Sequence, residues 1–441
     1  MLIDIPSRMP VNDHAVRPES LGLHYGFTRN PYDPSPLGID EEDSDLFVGR
    51  EKEGLVFRTF LESFDRGAVV VEGGTGVGKT SFVNVQEFRS GRAPGQNKLL
   101  PTQQPIQLAS TLSPTEFLLS VVSNVLSSLQ NASPRVERSA SFRRLSLAVT
   151  QSLIKTRSWE VSAAGFGGGT ASETVVSNPL LVLLPTVSEL LDSAARLAHE
   201  SGYGRVVVNV NNLDVVDPQS LISFLDLTRD LTLTRASFLW VFIGPIGSRA
   251  LIAQRTRRVS ELVRSDPIWL PPLSLKEVFG AIDARVKRFN TNLAAASPIS
   301  REVVQLLYES SAGEVRYILN RCTDILLRTM IEFPTSREIS LDLARPMLRE
   351  MTSGALDRCN LTGKQKAVLS NVATKGPCQP RDFQGFGFVS APAFLRYLSL
   401  FYRLGLVDRR RRGKEVVYAP RGDVVLALAK ADPSSGRPGN G

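Results

Sequence analysis

The chain has 441 residues, of which 42% are hydrophobic and 22% charged, and carries a formal net charge of +8. That length allows about two to four domains, and the composition is that of a globular chain with a core to bury. No apolar stretch is long enough to span a membrane; MLIDIPSRMPVNDH lacks the regions of a secretory signal; and the three scattered histidines and three cysteines without CxxC spacing argue against a metal site or disulfide framework, so a reducing cytoplasm is expected.

Residues 1–45, rich in Pro, Asp and Glu, read as an extended N-terminal segment. An apolar-periodic helix starts near Arg50. The run Ala68–Val71 reads as a buried strand, and directly behind it stands GGTGVGKTS, from Gly73 to Ser81. Gly73 to Thr80 fits G-x-x-x-x-G-K-[ST], and a helix-compatible run follows with Phe82, Val85 and Phe88 on one face. A phosphate-cradling loop needs those residue types at that spacing. Gly73, Gly76 and Gly78 let the backbone turn tightly, and with Gly74, Thr75, Val77 and Ser81 they aim N–H groups inward. Lys79 reaches the β- and γ-phosphates, the Thr80 hydroxyl ligates Mg²⁺, and the helix behind turns its positive end toward the phosphates. ATP or ADP with Mg²⁺ is therefore the expected ligand.

Further strands are expected at Pro105–Ala109, Arg205–Val210, Ser237–Ile243 and Ile268–Leu270. Capping boxes at Ser113–Glu116, Thr186–Glu189 and Ser274–Glu277 mark helix starts, as does Asp217-Pro218. Strands alternating with helices imply a parallel sheet covered on both faces. More than ninety residues separate the second and third strands, too many for one crossover. This insert, at about 130–180, holds the Arg/Ser-rich SPRVERSASFRR and the Gly-rich stretch from Trp159 to Gly169; a β-hairpin with a flexible tip that serves a partner is expected there. After Pro272 the strands stop and amphipathic helices run from Leu275 to about Thr352. Helices at Leu361–Ala373, Gln379–Gln384 and Ala391–Leu404 and a hairpin around a basic tip then give the winged helix-turn-helix order, before a tail at 432–441 that is disordered in composition.

This order of motifs resembles the AAA+ ATPases of the origin-recognition and replication-initiator type, from Leu46 to about Val425. The STAND signalling ATPases and the AAA+ proteins of bacterial mobile elements are similar too. The resemblance implies an α/β fold: a P-loop AAA+ base with a parallel sheet over 46–272, a helical lid over 273–355, and a C-terminal winged helix-turn-helix over 356–431. It implies that Val48, Gly49 and Arg50 pack beside the adenine, and that Arg316 of Gly313-Glu-Val-Arg316 reaches the γ-phosphate. A neighbouring subunit would supply an arginine, Arg258 or Arg264, so a homo-oligomer is expected on ATP or DNA binding.

One departure bears on catalysis. In the family the third strand ends in two acids, one for Mg²⁺ and one to polarise water. Here the positions read Asn211-Asn212-Leu213-Asp214. An amide is no general base and offers a metal only a neutral oxygen. Either the protein binds ATP with weak or no hydrolysis, or hydrolysis survives through a displaced acid such as Asp214. The sensor-1 stretch Phe242–Pro245 also lacks an Asn or Thr and offers only Ser248.

From Met351 onward stand fifteen Lys/Arg and six Asp/Glu, a surplus of nine, so the first 350 residues carry a net −1. That asymmetry points to an anionic partner at the C-terminal end. Arg409, Arg410, Arg411, Arg412 and Lys414 at a hairpin tip suit a wing on a phosphate backbone, giving affinity without sequence choice. The third helix adds Arg396 and Arg403, with Phe394, Leu395, Leu398, Phe401 and Leu404 expected as core. Non-specific DNA engagement, or recruitment of a DNA-processing protein, is one expectation. A signalling or scaffold ATPase whose winged domain docks protein is the other.

Overall fold

The computed structural model describes residues 21–91, 98–108, 113–164, 179–213, 215–291, 296–412 and 415–428. Of the N-terminal segment, the described residues 21–45 form a strap on the lid instead of the extended run expected there. It carries two short helices, α1 (Leu21–Tyr25) and α2 (Glu41–Asp45). Phe27, Tyr32, Leu37 and Leu46 are buried in the core of the lid helices, because four large apolar groups in a Pro-rich run need cover. Polar bonds fix the strap: the Tyr32 hydroxyl meets the Ser297 hydroxyl at 2.7 Å, and the Asn30 amide donates to the Thr323 hydroxyl at 2.9 Å.

Helix α3 (Glu51–Ser63) leads into β1 (Arg66–Gly73), buried from Gly67 to Gly73. Then follow α4 (Lys79–Gly91), β2 (Leu99–Pro101), β3 (Ile106–Gln107), α5 (Pro114–Ala132), α6 (Ala140–Ala164), α7 (Pro179–Glu200) and β4 (Arg205–Asn211). The base domain continues through α8 (Pro218–Thr228), β5 (Phe238–Gly244), α9 (Ser248–Arg255), α10 (Arg257–Ser260) and β6 (Ile268–Leu270). The strands pair in parallel in the order β2-β4-β5-β1-β6, and β3 extends the β2 side against β4. Alternate residues of β4 and β5 face opposite layers: Val206, Val208 and Trp240 meet α5 and α7, while Val207, Leu239 and Val241 meet α3 and α4. Burial on both faces is why these strands read as continuous apolar runs.

Several expectations shift. Among the described residues of the Pro105–Ala109 run, the paired strand is Ile106–Gln107, and Ala109 lies outside them; β2 is an additional edge strand. The capping boxes at Ser113–Glu116 and Ser274–Glu277 form their reciprocal bonds, and Asp217 caps α8. Thr186 is no cap, because α7 begins at Pro179 and carries Thr186 in its interior. Proline is tolerated in a first helical turn, and the Leu-rich run behind it favours helix. The expected β-hairpin in the insert is helical through Trp159–Ala164, the end of α6; Gly165–Gly169 lie outside the described residues. Phe142, Leu145 and Val149 explain this, since their helical spacing packs one face of α6 on the core.

The lid consists of α11 (Leu275–Phe289), α12 (Arg301–Ser311), α13 (Val315–Glu332) and α14 (Leu341–Asp357). The winged helix-turn-helix follows: α15 (Gly363–Lys375), a 3₁₀ turn at Pro380–Phe386, α16 (Ala391–Arg403), and the antiparallel strands β7 (Val407–Arg412) and β8 (Glu415–Pro420). Phe394, Leu398 and Phe401 are buried as expected, but Leu395 and Leu404 are exposed. A last helix, α17 (Gly422–Leu428), was not legible and packs against the lid. The fold is thus a parallel α/β domain with a glycine-rich loop behind its first strand, a helical lid and a C-terminal winged helix. Among the described residues no helix is long and apolar enough to cross a membrane.

One polar pair sits inside the base. Glu87 of α4 and Asn209 of β4 are both 0% exposed, and the Asn209 amide donates to Glu87 Oε2 at 3.0 Å. Burial pushes the Glu87 carboxyl up to about 8. Glu87 Oε1 and Asn209 Oδ1 are both unpartnered acceptors, so a proton on the carboxyl supplies the missing donor. Between the ordinary carboxyl range and pH 8 the native state holds a proton that the unfolded chain releases, so stability falls as pH rises through this window. Glu87→Gln supplies a permanent donor. Its melting temperature is expected to exceed that of the wild type at pH 9, by an amount on the order of a few kcal/mol in stability, with the gap closing toward pH 5. Parallel melting curves at all pH values would rule this out.

Candidate nucleotide site

In a parallel sheet, register decides what meets at the strand ends. Val70 stands beside Phe242, and Phe242 beside Val210, so β1, β5 and β4 finish level. A cleft of about 640 Å³ opens there. Gly73 and Thr75–Ser81, Gln107, Asn211, Asn212, Gly244 and Pro245 line it from the base. The strap contributes Pro34–Pro36, and the lid contributes Arg285, Val315, Arg316 and Leu319.

The loop has the backbone its glycines predict. Gly76 and Gly78 have φ of 69° and 89°, the left-handed region that glycine enters without a Cβ penalty. The Lys79 ammonium donates to the carbonyls of Gly73 (3.0 Å) and Gly74 (2.9 Å). Lys79, Thr80 and Ser81 form the first turn of α4, whose N–H groups and positive end suit an anion. The lid reaches the loop directly. The Arg316 backbone N–H donates to the Gly76 carbonyl at 3.2 Å, and a Cβ on Gly76 would stand 2.5 Å from Glu314 Oε1. The Arg316 side chain is exposed into the cleft.

Val48, Gly49 and Arg50 lie behind the loop, and none of them lines the cleft. Arg50 is buried and donates through Nη2 to the carbonyls of Val77 and Pro271, both at 2.8 Å, joining the loop to the connection between base and lid. Burial holds its pKa below the usual arginine range. Gly49 backs onto Glu277, and Val48 packs on Gly280, both on α11. These three residues therefore brace the cleft from outside.

Asn211 is half-buried on the cleft wall. Asn212 has φ 62°, a conformation asparagine tolerates, and its amide donates to Gln107 Oε1 at 2.6 Å. Asp214 lies outside the described residues. Asp217 is committed to its cap; bonds from Ser220 and Gln219 hold its carboxyl below the usual range. The Ser248 hydroxyl donates to the Pro245 carbonyl at 2.8 Å, so it is turned onto its own loop. Among the described residues lining the cleft the charged groups are Lys79, Arg285 and Arg316, with no carboxylate. Gln107, Arg285 and the strap prolines carried no local sequence signal. Glu72 was also missed: buried at the end of β1, it accepts from the N–H groups of Gly247 (2.9 Å) and Arg249 (2.5 Å) and so anchors the start of α9.

Arg258 is exposed on α10 and Arg264 half-buried just beyond it; neither lines the cleft of its own chain. Arg396, Arg403 and Arg409 are exposed on the winged domain. Arg410–Arg412 continue β7 as backbone, opposite Glu415–Val417, while Lys414 lies outside the described residues.

No family profile and no curated protein matches the chain. Among solved structures it is similar to the Aeropyrum pernix ORC2 protein in its ADPNP-ADP complexes, with 12% identity, 91% of this chain and 96% of that chain covered, and a TM-score of 0.47. The ADP form of the same protein gives 12% identity, the same coverage and a TM-score of 0.45. The architecture described above rests on this chain's own strand order and contacts.

Replacing the loop lysine tests the cleft. A charge-assisted hydrogen bond contributes about 1.5–3 kcal/mol, so Lys79→Ala is expected to weaken MgATP binding by roughly 10- to 150-fold in calorimetric titration, with an unchanged melting curve. Equal affinity in both proteins would remove the cleft as the binding site.

Proposed function

We propose that this protein is a nucleotide switch. It binds ATP or ADP with Mg²⁺ in the cleft and relays the bound state through the lid to a basic winged helix, which engages DNA or a DNA-processing partner. The observation that carries the reading is helix α13. Its first turn bonds to the phosphate loop through Arg316 and Gly76. On the same helix the Tyr317 hydroxyl donates to Asp423 of α17 at 2.9 Å, and Arg321 grips that carboxylate through Nε (3.0 Å) and Nη2 (2.7 Å). Arg316 and Arg321 are five residues apart, about 7.5 Å of helix rise. One rigid element therefore touches both the cleft and the winged domain.

The residues present fit a nucleotide polyphosphate. Left-handed glycines, the Lys79 ammonium, the first turn of α4 and Arg316 all offer positive charge or N–H groups. Thr80 would supply a hydroxyl ligand to Mg²⁺ and Asn211 a neutral amide oxygen; the ion would offset phosphate charge. Hydrolysis is expected to be slow, because a missing positioned base typically costs about 10²–10⁴-fold. The trans arginine would come from Arg258 or Arg264 of a second copy, making assembly dependent on nucleotide.

Three measurements test this. ATP turnover is expected to stay slow with and without DNA; robust turnover lost in Asp214→Ala but kept in Asn212→Ala would instead assign hydrolysis to the displaced acid. Changing Arg409–Arg412 to alanine is expected to lower duplex DNA affinity and flatten its salt dependence by about 0.9 for each DNA phosphate that is no longer neutralised. An unchanged isotherm would leave a protein-docking winged domain. Asp423→Ala is expected to keep MgATP affinity while erasing any difference in DNA affinity between the ATP and ADP states; a preserved difference would refute the relay through α13.

A further inference from the structure

The far end of the cleft holds a cation that the phosphate reading does not use. Strap and helix α4 run side by side there. The Leu37 N–H donates to the Ser81 hydroxyl at 3.1 Å, and the Asn84 amide donates to the Leu37 carbonyl at 2.8 Å. Asn84 stands five residues past Lys79, about 7.5 Å further along the helix. That is beyond the phosphate loop. Arg285 of α11 lines the cleft beside this stretch, with Asp33 and Asp43 of the strap as its nearest opposing charges.

Arg285 is 8% exposed, yet among the described residues its guanidinium has neither a hydrogen bond nor an ion-pair contact. A guanidinium carries five N–H donors and no acceptor. The Arg285 stem is buried while its nitrogens stay open to the cleft, so the fork is placed to donate to a ligand atom there. The atom must be an acceptor, such as a ring nitrogen of a purine or an oxygen of ribose. Pro34, Pro36 and Leu319 supply apolar surface on the same walls, as an aromatic base requires.

We infer that Arg285 is the residue of the lid that holds the nucleoside moiety of the bound nucleotide, donating to a ring or ribose acceptor, while the loop holds the phosphates. This rests on the nucleotide reading above. Division of labour between the two ends makes it testable with inorganic tripolyphosphate, which keeps the phosphate chain and lacks the nucleoside. Arg285→Gln is expected to weaken MgATP binding about tenfold to a hundredfold and to leave magnesium tripolyphosphate binding unchanged. Arg285→Lys, which keeps the charge opposite Asp33 and Asp43 but loses the fork, is expected to fold as the wild type and show the same selective loss. Equal weakening of both ligands would make Arg285 a phosphate contact and overturn the inference. No change in either would make it a structural cation and overturn it as well. Lys79→Ala is the control: if it leaves both ligands bound at full strength, the nucleotide reading itself fails, independently of Arg285.

Discussion

A sheet whose strands all run the same way must put every carboxyl end on one edge, and the rest of this structure follows from that constraint. Each return path has to cross a face of the sheet, so α4 joins the preceding α3 on one side and α5 and α7 cover the other. Connections at the carboxyl edge are loops, and there the phosphate loop, Asn211-Asn212 and Gly244-Pro245 meet. Strand β5 lies between β1 and β4, so the asparagines face the loop across the width of one intervening strand. That spacing opens a groove wide enough for a ligand, and the lid roofs it.

The charge balance of the groove is consistent with this geometry. Its described cations come from three elements: Lys79 from α4, Arg285 from α11 and Arg316 from α13. Three described acids of the base and lid are held at other tasks. Glu72 holds the start of α9, Glu277 completes the cap of α11, and Asp217 caps α8. Among the described residues this wall of amides and cations suits a polyanion.

How much of this was legible depended on sequence range. The loop was readable because its chemistry lies in nine consecutive residues, and β6 was read to the residue because Ile268–Leu270 is a short apolar run with prolines on either side. Caps at Ser113 and Ser274 were readable for the same local reason. The strap was misread because nothing near Tyr32 in sequence covers it; its cover comes from residues about 265 positions later. The insert was misjudged from its glycines, when the spacing of Phe142, Leu145 and Val149 decides α6. Arg285 and Gln107 carried no motif at all, since their meaning arises only when lid, edge strand and loop converge.

The strap also sets an order of assembly. Its Thr28 N–H bonds to the Phe289 carbonyl and its Asn30 to Thr323, partners made long after it during synthesis. The sheet, from β1 to β6, is complete by residue 270, while the strap still lacks the helices that bury Tyr32. Contacts of such sequence separation form slowly. On a ribosome the first described residues of the chain are therefore among the last to find their place, and the cleft gains its second wall only after the lid has emerged.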